Sequence, residues 1–154
     1  MKKCNPRTIK NLRKLEHVFI RMARYWGKVL KIGPMEIVSN PHLTRFDAYV
    51  SLRDNIQYLV FNPGALLDYE QCEFVALIFH ELAHLKKTAL YELGDKIMAE
   101  YTAEIQALKW LKKYFPKFYE RYIILMKTRL KENPYKGKDR YYQKAFSKIK
   151  EYND

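Results

Sequence analysis

Apolar residues recur at three- and four-residue steps through Ile9, Leu12, Leu15, Phe19, Met22, Trp26 and Val29. This spacing predicts an amphipathic helix over residues 8–32, ended by Gly33-Pro34. Met35–Val38 reads as a short strand, broken at Ser39-Asn40-Pro41. Phe46–Leu52 and Ile56–Phe61 read as two strands around an Arg53-Asp54-Asn55 turn, the second almost wholly apolar or β-prone. Asn62-Pro63-Gly64 stops that strand. Asp68, with Gln71 three positions on, predicts a capped helix start, and the helix should run to about Lys87. A further helix is predicted from near Asp95 to Phe115, where Pro116 closes it and opens the next, which ends near Asn133-Pro134. A last basic, tyrosine-bearing helix is predicted over Lys138–Tyr152. The pattern is that of an α+β chain: an N-terminal helix, a small and mostly antiparallel sheet, then helices.

A chain of 154 residues and 18.6 kDa has the length of a single domain, 1–154, and 48% hydrophobic residues give it a core to bury. The longest unbroken apolar run is Phe74–Phe79, where a membrane span needs about twenty residues. No apolar stretch follows the basic MKKCNPRTIK start, so no secretory leader and a cytoplasmic location are expected. Cys4 and Cys72 are too few for a disulfide framework or a cysteine metal knuckle. The net charge of +12 is uneven: residues 1–60 and 111–154 each carry +8, and residues 61–110 carry −4. The lysines follow helix periods and form no single block, so the basicity reads as a solubility device and nucleic acid is not the expected partner. The acidic middle is more informative, because something there needs carboxylates.

That middle holds His80-Glu81-Leu82-Ala83-His84. Two histidines four apart on a helix lie about 40° apart around its axis, so both imidazoles can reach one ion. The glutamate between them projects beside the pair, where it can deprotonate a water. A catalytic zinc takes three protein ligands and keeps one position open. The third ligand is to be sought among His17, His42, Glu92, Asp95, Glu100 and Glu104. Glu100 and Glu104 lie one helical turn apart beside Ala99, Ala103 and Ala107, a small-residue face that lets a helix approach its neighbour closely.

An HExxH helix followed by a helix bearing Glu-Tyr-x-Ala-acid resembles the gluzincin metallopeptidases, in particular the minigluzincins and the catalytic domains of HtpX and CAAX-prenyl proteases. The resemblance covers about residues 35–115, leaving 116–154 as a C-terminal helical segment. It implies a zincin-like fold with zinc held by His80, His84 and Glu100. It also implies that Glu104 orients a ligand histidine, where the family usually has Asp. Asn62-Pro63-Gly64-Ala65-Leu66-Leu67 resembles the family's passage from strand to active-site helix. Asp47-Ala48-Tyr49 stands where relatives carry an Asn-Ala-aromatic segment on the strand that binds substrate.

The expected activity is therefore zinc-dependent hydrolysis of a peptide or unfolded protein, with Glu81 as general base. Tyr135, Arg140, Tyr141 and Tyr142 are donors that could stabilise an oxyanion. Two other functions are open. The chain could be a latent or inactive zincin-fold protein covered by residues 134–154, either its own or those of a partner copy in a homodimer. It could instead be a basic nucleic-acid-binding module with a structural metal.

Overall fold

The computed structural model describes residues 6–44, 46–86 and 96–132. The chain divides into two compact units, Met1–Glu70 and Gln71–Asp154.

In the first unit, helix α1 (Pro6–Val29) turns Phe19, Ala23 and Trp26 inward. It stops short of the expected Gly33-Pro34 because Lys31 already takes a left-handed conformation, φ 55°. The Ile32 amide then bonds back to the Gly27 carbonyl and the Lys31 amide to that of Lys28, closing the helix end. Ile32 is buried at this corner, and its burial offsets the strain of a side chain at positive φ.

Three strands follow, β1 (Met35–Ser39), β2 (Ala48–Arg53) and β3 (Ile56–Phe61), in the order β1-β3-β2. β2 and β3 are antiparallel, with Arg53 opposite Ile56 across a two-residue turn. Asp54 and Asn55 both have positive φ, 50° and 63°, as the tight hairpin turn that matches strand twist requires. β1 and β3 are parallel, with Met35 opposite Gln57. The sheet is thus mixed, where a mostly antiparallel one was expected. The cause is the connection 40–47, long enough to place β2 two strand positions from β1 and leave the gap that β3 fills. Stacking of Phe19 on Phe61, ring centroids 4.0 Å apart, joins helix to sheet.

Asn62 does more than end β3. Its side-chain oxygen accepts from the Gly64 amide at 2.9 Å and starts a 3-10 turn, Pro63–Asp68. That turn absorbs Asp68, the expected helix cap, and the next helix begins at Gln71.

The second unit is helical: α2 (Gln71–Lys86), α3 (Lys96–Tyr114) and α4 (Pro116–Glu132). α2 is buried on nearly every side, as an all-round apolar helix must be. α3 packs along it, with Ala99, Ala103 and Ala107 buried, and α4 packs against both. Phe79 meets the rings of Trp110, Tyr114 and Phe115 at 6.0–6.5 Å. Pro116 opens α4 directly after Phe115, as its missing N–H allows. The fold class is α+β, with four helices and a three-stranded mixed sheet among the described residues. Among those residues, no helix is long and apolar enough to cross a membrane.

Candidate metal centre

The HExxH segment lies in the interior of α2, so the four-residue spacing of its histidines becomes one turn of a buried helix. His80 and His84 point the same way, and their Nε2 atoms are 3.0 Å apart. The facing carboxylate is that of Glu100 on α3. Its Oε2 lies 2.8 Å from His80 Nε2 and its Oε1 3.3 Å from His84 Nε2. Among the described residues, these three form the one grouping of His, Cys, Asp or Glu side chains able to hold a metal ion. Donors about 2.0–2.1 Å from a tetrahedral ion stand about 3.3 Å from one another, and the observed separations are close to that edge. The narrow approach of α3 to α2 over its alanines brings Glu100 this near.

Glu104, one turn further along α3, reaches the other side of the His80 ring, with its Oε2 2.6 Å from Nδ1. His80 Nδ1 therefore carries the ring hydrogen and donates it to the Glu104 carboxylate, which leaves the Nε2 lone pair for an ion when the ring is neutral. The second oxygen of Glu104 accepts from the hydroxyl of Tyr122 on α4 at 2.8 Å. Glu104 is 1% exposed and Tyr122 4%, so this chain of bonds is sealed in the protein. α4 is fastened to the start of α2 by Arg129, whose Nη2 is 2.5 Å from the buried Glu73 carboxylate. Tyr122 is the site residue that sequence reasoning missed. Its one signal was a polar-tipped ring on the apolar face of the helix after Pro116.

Electrostatics follow from this crowding. Burial opposes a charged His80, but hydrogen bonds to Glu100 and Glu104 and their negative charge outweigh it and hold its pKa well above the ordinary value of 6.5. Burial works to raise Glu100, yet hydrogen bonds from both histidines hold its carboxyl far below the usual range. Glu81 moves the other way: burial pushes it up, and the histidines' charge only partly offsets this. Glu81 is buried beside the histidines. Two imidazole nitrogens and a carboxylate, buried and already converging, are a donor set that suits a borderline-soft divalent cation.

The remaining expected site residues have other surroundings. Asp47, Ala48 and Tyr49 belong to the first unit: Ala48 is buried at the start of β2, and the Asp47 carboxylate accepts a hydrogen bond from the Tyr69 hydroxyl. Tyr49 faces the Phe46 ring at 6.4 Å. β2 sits at a sheet edge and, among the described residues, pairs with β3 alone. His17 and His42 are exposed in that same unit, and Cys72 is a buried thiol in the first turn of α2. Glu92, Asp95, Cys4 and the whole segment 134–154, with Tyr135, Arg140, Tyr141 and Tyr142, lie outside the described residues. Compared with protein-family models, curated proteins and solved structures, the chain matches none.

Proposed function

We propose that this protein is a zinc-dependent peptide hydrolase of zincin-like architecture. The observation that carries the reading is the convergence of His80 Nε2, His84 Nε2 and the Glu100 carboxylate, all within 4.8 Å of one another, on an HExxH helix and its neighbour. Two histidines and a glutamate are the ligands of one common type of catalytic zinc site, which leaves a position open for water or substrate. When bound, zinc lowers the pKa of a coordinated water towards ~7 and polarises a carbonyl.

The chain's own groups supply the rest. Glu104 keeps the His80 proton on Nδ1, and Tyr122 keeps Glu104 turned towards His80. Glu81 lies buried beside the two histidines, where its carboxylate is placed to accept a proton from the attacking water. It then delivers that proton to the leaving amine.

The test is hydrolysis of fluorescein-labelled, unfolded casein by the purified full chain. Activity should vanish on chelation and return with zinc. A chain that binds one zinc yet cleaves no faster than buffer, or cleaves equally well after chelation, would overturn the proposal.

A further inference from the structure

Charge counted by thirds of the sequence conceals how α1 arranges its cations. Lys10, Arg13, Lys14, Arg21, Arg24 and Lys28 are all exposed. At about 100° per residue they fall in one arc of about 100°, with His17 in its middle, along about 27 Å of helix. Opposite them lie the core residues Phe19, Ala23 and Trp26. The helix has one acid, Glu16, and it lies about 110° from the centre of this ridge. There it accepts a hydrogen bond from the Ser39 hydroxyl at 3.1 Å, and a single carboxylate beside Arg13 leaves the ridge strongly cationic.

We propose that this ridge binds the phosphate backbone of nucleic acid. Like charges one turn apart repel, and a surface built only for solubility interleaves both signs. A single-sign stripe is costly for an isolated helix and favourable beside a polyanion, whose condensed counterions it releases. Three arginines suit bidentate phosphate contact. Along one flank stand the exposed Val18 (39%), Tyr25 (61%) and Val29 (40%), and the Tyr25 ring is held edge-on against Trp26. An exposed aromatic beside arginines gives a base a surface to stack on. The same flank is poor for a bilayer, because membrane-surface helices bury a broad apolar face and α1 has committed its own to the core. Asn11 is the one amide side chain of α1, exposed on the Tyr25 flank, and one amide beside six cations gives little base readout, so binding should be largely insensitive to sequence. The proposal does not depend on the metal centre.

The experiment is fluorescence anisotropy with a labelled 20-base-pair duplex and a 20-nucleotide single strand, titrated with full-length protein between 50 and 300 mM NaCl. Four to five phosphate contacts predict a log–log salt slope of about −3.5 to −4.5 on the duplex. The variant K10Q/R13Q/R21Q/R24Q should weaken binding at least 30-fold at 50 mM NaCl and flatten the slope to about −1. The variant K109Q/K112Q/K113Q/K117Q removes the same charge from exposed positions of α3 and α4 and should stay within about threefold of wild type. If the fourfold ridge variant does not fold, K10Q/R13Q and R21Q/R24Q should each reduce the slope by about 2. The proposal fails if neither nucleic acid binds at 50 mM NaCl, if a folded ridge variant binds like wild type, or if both fourfold variants weaken equally. It fails equally if the chain binds vesicles containing phosphatidylserine and no nucleic acid.

Discussion

Tyr122→Phe removes one oxygen atom and keeps the ring that packs in the helical unit, so it withdraws the hydroxyl from Glu104 without emptying the core. The lost donor served Glu104 Oε1 at 2.8 Å, while Oε2 of the same carboxylate takes the His80 Nδ1 hydrogen at 2.6 Å. Glu104 is 1% exposed, so bulk solvent is badly placed to replace the hydroxyl. A hydrogen bond to a charged, buried acceptor contributes about 1.5–3 kcal/mol. At about 2–4 °C per kcal/mol for a chain of this size, the metal-free variant should melt about 3–12 °C lower. Residues bonded directly to a metal ligand typically change metal affinity by about 10–100-fold; Tyr122 acts one bond further out, so about 3–10-fold is expected. Competition against a chromophoric zinc chelator measures that loss, and a thermal melt measures the first. Because Tyr122 acts through Glu104, a cycle with Glu104→Gln must be non-additive. The second substitution should then cost little once the first is made. Unchanged melting and zinc affinity, or fully additive losses, would refute the relay.

Glu100→Ala removes the third donor, and elemental analysis after dialysis should find far less than one zinc per chain; full retention would remove Glu100 from the site. The pH dependence of the metal-free chain follows from opposite shifts. Glu100 lies below its unfolded value of 4.5, so its stabilisation is present above that pH and is lost as pH falls towards its folded pKa. His80 lies above its unfolded value of 6.5, so its stabilisation is full below that pH and is lost as pH rises through the folded pKa. Glu81, raised by burial, adds a cost as pH climbs past 4.5. Thermal melts of the metal-free chain should therefore peak between 4.5 and 6.5 and decline above, and a melting point that rises from pH 6 to 9 would contradict these assignments. Phe79→Ala empties the ring cluster with Trp110, Tyr114 and Phe115 and should cost about 3–5 kcal/mol in urea denaturation; a loss under about 1 kcal/mol would mean the cluster is not a core.

Local chemistry was legible in the sequence wherever one helix or one turn contains it. His80, Glu81 and His84 are fixed by spacing within α2, and the Asp54-Asn55 turn by its two residues at positive φ. Helix ends were less legible. Lys31 terminates α1 without the glycine that usually does so, and Asn62 turns Asp68 into the end of a 3-10 turn. What depends on packing between elements was not legible from spacing. Glu100 and Glu104 are one turn apart and chemically alike; which meets Nε2 and which meets Nδ1 depends on how α3 lies along α2. Tyr122 comes 18 residues after the carboxylate it serves, in a helix whose alignment is a tertiary property. As Met126 is also buried one turn on, the periodicity marks Tyr122 as interior and says nothing of its partner. The parallel pairing of β1 with β3 is of the same kind, because it depends on where β2 goes first.

The most direct measurement is the rate of unfolded-casein hydrolysis by Glu81→Gln beside wild type, both carrying one zinc per chain. Gln keeps the side chain's shape and cannot accept the proton. Proton transfer by a placed side chain is worth about 10²–10⁴-fold, so the variant should lose at least 100-fold in rate while retaining its zinc. Hydrolysis at the wild-type rate, or loss of the zinc itself, would contradict the assignment of Glu81 as a base that serves the metal centre without binding the metal.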